Sequence, residues 1–192
     1  MRLWVFAVIS AAAALALSSC ATLNEEQCQV TDWRTLGQTD GGQGRPQSFV
    51  AEHQSACSRF GISVDSVAWT SGWQEGIRNY CLPSNGLTVG QAGRTNFNAC
   101  PADQAAGFNE AYNVGRSVYD ARAERDRLQR ELNTLITGLS DSKPEDLPKK
   151  QTEIELKRNA LLQSQFRVRN AENALNLFQT RLTQQQTQAQ TQ

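Results

Sequence analysis

The chain has 192 residues, with 19 Lys and Arg side chains balanced by 19 Asp and Glu side chains. This zero net charge excludes the overall basic field with which proteins attract nucleic acid, and the single histidine excludes a metal site built from several histidines. We therefore expect no nucleic-acid partner, no metal and no cofactor.

The first twenty residues have the organisation of a bacterial export signal. Arg2 precedes an apolar run over residues 3–17, which is interrupted only by Ser10 and is too short to span a hydrocarbon core about 30 Å thick. The sequence Leu-Ser-Ser-Cys that ends at Cys20 resembles the lipobox of bacterial lipoproteins. The resemblance implies removal of a signal peptide, residues 1–19, and lipidation of Cys20; the alternative is an ordinary signal peptide with a fortuitous cysteine.

The residues after Cys20 indicate where such a lipoprotein goes. Ala21, rather than Asp, follows the cysteine, and the sorting rule of bacterial lipoproteins then implies the outer membrane of a Gram-negative cell, facing the periplasm. We interpret residues 20–27 as a short lipidated tether between the membrane and the folded chain.

Four further cysteines, Cys28, Cys57, Cys81 and Cys100, all precede residue 101. An even number of cysteines in an exported chain predicts two disulfides, whereas a zinc site would need more closely spaced pairs. Three pairings are open. We favour Cys28 with Cys57 and Cys81 with Cys100, because each bridge then closes a local loop.

Residues 28–100 are predicted to form a disulfide-bonded, Gly-rich domain of helices and irregular segments. They contain ten glycines, and an aromatic residue followed by glycines four apart recurs at Trp33 and at Trp69. A third copy of the pattern follows Phe108. Glycines at this spacing share one face of a helix and allow close packing of a second backbone; the alternative is that residues 40–44 present their backbone to a ligand.

The same residues carry a family resemblance. The pattern D-W-x3-G-x2-D-G-x2-G from Asp32, the pair His53 and Cys57, the Trp, Gly and Tyr-Cys series of residues 65–93, and the Phe-x3-Tyr-x2-Gly of residues 108–115 resemble a bacterial family catalogued as domain of unknown function 2799. The resemblance covers about residues 28–119 and implies a small envelope lipoprotein, without any activity. Phe97 departs from it, because the family more often has Tyr there.

Residues 101–182 have the heptad pattern of a long antiparallel coiled-coil hairpin, with a turn near residues 138–148. Ser142, Lys143, Pro144 and Glu145 fit a capping box in this turn. The polar Lys157 and Ser164 occupy core positions of the second arm. Residues 183–192, which are Gln and Thr with one Ala, are predicted to be a disordered tail. The expected fold class is therefore mainly α.

Candidate functional residues are few. His53 with Asp40 or Asp65 and a serine is one hypothetical hydrolase triad, but the chain lacks a nucleophile motif such as G-x-S-x-G, so we expect no enzyme. Trp33, Trp69 and Trp73, with Asp40 and His53, are the candidates for binding a cell-wall glycan or a small ligand. The leading hypothesis is a non-enzymatic envelope lipoprotein whose helical hairpin binds a periplasmic protein.

Overall fold

The computed structural model describes residues 22–191, and within this range the chain is all-helical, as the sequence predicts. The α-helices are α1 Glu25–Val30, α2 Trp33–Gly42, α3 Val50–Ser58, α4 Ser66–Tyr80, α5 Pro83–Gln91, α6 Ala102–Thr137 and α7 Leu147–Gln190, with 3-10 turns at Gln47–Phe49 and Pro144–Asp146. The predicted signal peptide and Cys20 lie outside the described residues.

Polar side chains cap the first turns of α1, α2 and α4. Asn24 and Gln27 form a capping box at α1, with bonds of 2.8 and 2.9 Å between each side chain and the other backbone. Asp32 accepts from the Thr35 amide at the start of α2, and Asp65 caps α4 in the same way. Such caps satisfy amides that have no partner inside the helix, so these helices begin where the sequence places an Asn or Asp.

The two disulfides follow the favoured pairing. Cys28 is bonded to Cys57, which joins α1 to α3, and Cys81 is bonded to Cys100, which joins the end of α4 to the segment before α6. Each bridge therefore closes a loop between neighbouring elements.

Glycines set the contact between α2 and α4, which we call the first helix pair. Gly37 and Gly41 of α2 face Gly72 and Gly76 of α4, and a Cβ built on any of the four would lie within 2.4 Å of a backbone oxygen of the opposite helix. Because no side chain separates the two backbones, the helices pack closely. The aromatic side chains of α4 fill the space beside this contact.

The helices α5 and α6 form a second helix pair that repeats the first in sequence. One constant shift in residue number aligns α2 and the turn after it with α5 and its turn: Gly37, Gly41, Gly44 and Arg45 correspond to Gly86, Gly90, Gly93 and Arg94. A second constant shift aligns α4 with α6: Trp69, Trp73, Gly76 and Tyr80 correspond to Phe108, Tyr112, Gly115 and Tyr119. Gly90 and Gly115 then occupy the close contact between the helices, as their counterparts do in the first pair.

The repeat extends to the turn that follows each first helix. Gly44 and Gly93 both have a positive φ, 75° and 67°, a conformation that glycine adopts without strain, and each lies against the ring of Tyr80 or Tyr119. The Trp73 indole donates to the Arg45 carbonyl at 2.8 Å, and its counterpart Tyr112 donates through its hydroxyl to the Arg94 carbonyl at 2.9 Å. The two helix pairs are thus copies of one unit.

The hydrophobic core continues across the domain boundary drawn at residues 100 and 101. Phe108 of α6 is fully buried with Trp69 and Tyr80 of α4 and with Cys81. The first part of α6 therefore packs in the same core as the disulfide-bonded helices.

The remainder of α6 packs against α7 as the predicted hairpin. The seam between the two helices contains Leu128, Leu132, Ile154 and Leu161. Farther along α7, Leu175 and Phe178 lie on Leu87, Ala111 and Val118, so the second arm also covers the second helix pair.

The turn of the hairpin lies where the sequence places it, but without the expected capping box. The Ser142 hydroxyl donates to the Gly138 carbonyl at 2.7 Å and accepts from the Lys150 ammonium at 2.6 Å. It is therefore occupied by the end of α6 and does not cap the helix that follows.

The polar residues of the seam are both satisfied. Lys157 donates to the Glu131 carboxylate across the hairpin at 2.7 Å, and this hydrogen bond lowers the pKa of the Glu131 carboxyl below its ordinary value. The buried Ser164 hydroxyl donates to the Leu161 carbonyl at 2.7 Å.

The predicted disordered tail is helical as far as Gln190. The Thr183 and Thr187 hydroxyls each donate to the carbonyl four residues earlier, at 3.1 and 3.0 Å. Since glutamine favours helix and an existing helix extends more readily than a new one starts, this segment continues α7 without burying side chains.

Candidate functional site

Of the aromatic residues expected to stack on a ligand, two are inside the core. Trp69 is 0% exposed and Trp73 is 7% exposed, and their rings stack on each other with centroids 6.4 Å apart. Trp33, at the start of α2, is partly buried against the same core. Because the faces of Trp69 and Trp73 are covered by protein, these two residues cannot serve as stacking surfaces.

The other two candidates, Asp40 and His53, are in direct contact. Asp40 lies on α2 and His53 on α3, and one carboxylate oxygen of Asp40, Oδ2, is 2.8 Å from His53 Nε2. The same oxygen accepts from Trp69 Nε1 at 3.0 Å, and Oδ1 is 3.5 Å from Arg45 Nε. The structure therefore places three of the candidate residues in one buried polar cluster, with Arg45 as an addition that the sequence did not indicate.

The second nitrogen of His53 connects this cluster to the N-terminal segment. His53 Nδ1 is 3.0 Å from the Thr22 hydroxyl, which in turn donates to the Glu52 carbonyl at 3.4 Å. His53 is only 3% exposed, and the Phe49 ring lies edge-on to it with centroids 5.1 Å apart. Both ring nitrogens are thus engaged in a site that solvent scarcely reaches.

The Thr22 contact changes the interpretation of the segment before α1. Leu23 is buried with Cys28, Ala56 and Cys57, and residues 24–27 form the cap and first turn of α1. From Thr22 onward the chain is therefore part of the fold and not a free tether. No motif marks Thr22 or Leu23, so the sequence offered no signal for this contact.

The internal repeat shows that this cluster is not needed to form a helix pair. The positions of Asp40 and Trp69 in the first pair correspond to Val89 and Phe108 in the second, which are buried and apolar. The second pair keeps the glycine contact without the polar groups. The Asp40, His53 and Trp69 cluster is thus specific to the copy that holds the N-terminal segment.

A different surface is formed by the outer face of α7. Leu162, Phe166 and Leu177 are each more than half exposed, and at 3.6 residues per turn they lie within about 60° of one another, roughly opposite the buried Val168 of the seam. The Arg169 guanidinium lies 4.5 Å from the centroid of the Phe166 ring. The second arm therefore has a second, sparser row of apolar side chains, roughly opposite the face that packs against α6, and we call this row the outer stripe.

The described residues contain neither a metal-binding cluster nor a membrane-spanning helix. Between residues 22 and 191 no cluster of His, Cys, Asp and Glu is suited to hold a metal ion. Over the same range, no helix is both long enough and apolar enough to cross a bilayer.

Comparison with known proteins finds a family match over the two helix pairs. Residues 32–117 match a family model described as "Protein of unknown function (DUF2799)", in agreement with the resemblance found in the sequence. The match runs from the cap of α2 to the Gly115 contact on α6, so it contains both helix pairs and excludes most of the hairpin. No curated protein and no solved structure matches the chain.

Proposed function

We propose that this chain, which carries a DUF2799 domain, is a non-enzymatic lipoprotein of the bacterial cell envelope that binds a periplasmic protein through its helical hairpin. Its two disulfides support a location outside the cytoplasm, because thiols are kept reduced in the cytosol. The lipid on Cys20 would hold it to the outer membrane.

The Thr22 contact supports a position directly against the membrane. Thr22 is two residues after Cys20, so the Cα atoms of the two residues are at most about 7 Å apart. A lipid on Cys20 would then bring α3 and the Asp40 cluster to the headgroup region. In this proposal the buried cluster serves to hold the N-terminal segment in place.

The observation that carries the proposed partner binding is the outer stripe of α7. Isolated exposed apolar residues are common, but Leu162, Phe166 and Leu177 share one face of a helix whose other face is already packed. An amphipathic helix of a partner would bury this stripe in the manner of a coiled coil. Asn159, Asn170 and Asn173 lie on the same face and would fix the register of that contact.

The geometry favours this function over hydrolysis. A general base needs a nitrogen that substrate can approach, and His53 has a protein partner at both nitrogens and is almost fully buried. Asp65, the other acid considered for a triad, caps α4.

Photocrosslinking in intact cells tests the partner surface. A photoreactive residue replaces Phe166 or Leu177 on the stripe, and Arg167, which is exposed about 100° away around the helix, is the matched control. We expect one crosslinked protein from the two stripe positions, none from Arg167, and loss of the Leu177 product in a Leu162→Ser/Phe166→Ser variant. Equal products from both faces, or crosslinks only to a second copy of the chain, would contradict a dedicated partner surface.

Anchoring is tested separately by Cys20→Ala. The substituted protein is expected to leave the membrane fraction, and wild-type protein to carry an acyl mass on its N-terminal peptide. An unmodified wild-type N-terminus would overturn the lipoprotein assignment without affecting the partner test.

A further inference from the structure

The internal repeat produces two equivalent grooves that the proposed function does not use. The first groove has a volume of about 490 Å³ and is lined by Gln47, Trp73 and Gln74, among others; the second is about 440 Å³ and is lined by Asn96, Tyr112 and Asn113. The shifts that relate the two helix pairs align these residues one to one. Each groove therefore has two carboxamides at the same positions, beside an aromatic side chain that is buried in the first groove.

From this arrangement we infer that the two grooves together bind one linear, uncharged oligosaccharide that carries acetamido groups. The inference is independent of the hairpin, since no groove residue lies on α7. It shares with the proposed function only the location outside the cytoplasm that the disulfides indicate.

The polar groups of the grooves suit hydroxyl and acetamido groups. A carboxamide donates and accepts hydrogen bonds at once, as sugar substituents do. Among the described residues, none forms a hydrogen bond with the side chains of Gln47, Gln74, Asn98 or Asn113. These four amides are therefore free to bind a ligand, whereas Asn96 and Asn109 are bonded to each other at 2.7 Å.

The charges in the grooves are already paired. Arg78 in the first groove lies 3.1 Å from the Asp103 carboxylate, and Arg116 in the second lies 2.9 Å from the Asp120 carboxylate. Because each guanidinium has a carboxylate partner, neither groove selects for a charged ligand. This favours a neutral saccharide over an acidic one.

One loop contributes residues to both grooves and carries an exposed aromatic residue. Ala99 and Pro101 line the first groove, and Asn96 and Asn98 line the second. Phe97 lies within this loop and is 57% exposed, although it is flanked by polar residues. An exposed phenyl ring beside hydrogen-bonding amides offers the apolar surface on which the C–H face of a sugar ring packs.

The residue after Phe97 has an unusual backbone conformation. Asn98 has a φ of 52°, in the left-handed region, and its amide donates to the Asn96 side chain at 2.9 Å. The left-handed conformation is uncommon outside glycine but is tolerated by asparagine. Phe97 lies in sequence between residues that line the second groove and residues that line the first, so a chain of linked sugars that crosses the loop would contact both copies.

Calorimetric titration of the mature chain with soluble β-1,4-linked N-acetylglucosamine oligomers of increasing length tests the inference. We expect the affinity to rise with length until the oligomer spans both grooves. Glucose oligomers of the same linkage, which lack acetamido groups, should bind at least tenfold more weakly. No binding at any length, or equal binding of the glucose oligomers, would overturn the inference.

Substitutions locate the binding. Phe97→Ala is expected to weaken binding of the longest oligomer at least tenfold, and Gln74→Ala and Asn113→Ala to weaken it individually. Phe60→Ala, which removes another exposed phenyl ring in the turn after α3, is the matched control and should leave binding unchanged. Binding that persists in the Phe97→Ala/Gln74→Ala/Asn113→Ala variant would place the saccharide elsewhere, and the photocrosslinks on α7 would be unaffected in either case.

Discussion

Adding one methyl group at Gly72 should separate the first helix pair. A Cβ at this position would lie 1.8 Å from the backbone oxygen of Arg34, at least 1.6 Å closer than ordinary van der Waals contact, which begins at 3.4 Å. Because the obstructing atom belongs to the backbone of α2, no side-chain rotation relieves the overlap, and the helices must move apart. Overpacking of this kind costs about 3 kcal/mol, the upper part of the usual range.

Gly42→Ala is the matched control, because the same substitution at this position of α2 should raise the free energy of unfolding and not lower it. A Cβ at Gly42 meets nothing within 4 Å, so the variant gains only the better helix propensity of alanine, up to about 1 kcal/mol. For a chain of this length, Gly72→Ala should lower the Tm by roughly 6–12 °C and Gly42→Ala should raise it by up to about 4 °C. The two melting curves are measured by circular dichroism.

A Gly72→Ala protein as stable as wild type would refute the argument, since it would mean that the two backbones are not in contact. A destabilised Gly42→Ala protein would show instead that the loss comes from alanine itself. The two variants together separate packing from propensity.

Three other substitutions test the remaining contacts. Replacing Cys28 and Cys57 by serine opens a loop with a sequence separation of 29 and should lower the free energy of unfolding by about 3–4 kcal/mol, measured by urea denaturation; a smaller loss would indicate strain in the bridge or residual structure in the unfolded chain. Phe178→Ala should cost about 3–5 kcal/mol and increase proteolysis of α5 and α6, because this ring covers the second helix pair; unchanged proteolysis would mean that the hairpin and the helix pairs are independent. Lys157→Met should raise the pKa of the Glu131 carboxyl toward its ordinary value, as followed by NMR titration. The lowered pKa stabilises the folded protein when the pH is above the ordinary pKa of a glutamate carboxyl, and this stabilisation is lost as the pH falls through the lower pKa of the folded state. Wild type should therefore lose more stability in acid than the variant does.

The sequence predicts those parts of this fold that leave a recognisable pattern along the chain. Glycines four apart, heptads of leucine and an even number of cysteines each indicate the helix packing or the bridge that the structure contains. Part of the repeat is also visible in the sequence, because the aromatic and glycine pattern at Trp69 recurs at Phe108. Its exact alignment needed the structure, because the shift in residue number from α2 to α5 differs from the shift from α4 to α6.

What the sequence did not predict depends on single contacts. Leu23 is one apolar residue in a polar segment and gives no period, so its burial and the Thr22 contact with His53 could not be inferred. The sequence does not tell whether the rings of Trp69 and Trp73 are exposed or buried. Only the fold shows that the core covers them. The groove residues Gln74 and Asn113 resemble any exposed helix residue until the repeat places them at equivalent positions.

The order of the bridges along the chain affects how the protein can be oxidised. The loop closed by Cys28 and Cys57 ends before the loop closed by Cys81 and Cys100 begins, so the two are sequential and neither interleaved nor nested. If Cys20 carries the proposed lipid, its sulfur cannot pair, and Cys28 is the first cysteine available for a bridge. When such a chain crosses a membrane N-terminus first, an oxidase that joins the remaining cysteines in their order of arrival makes the native pairs directly. Isomerase activity, which chains with interleaved bridges need to correct early pairings by thiol–disulfide exchange, is then dispensable.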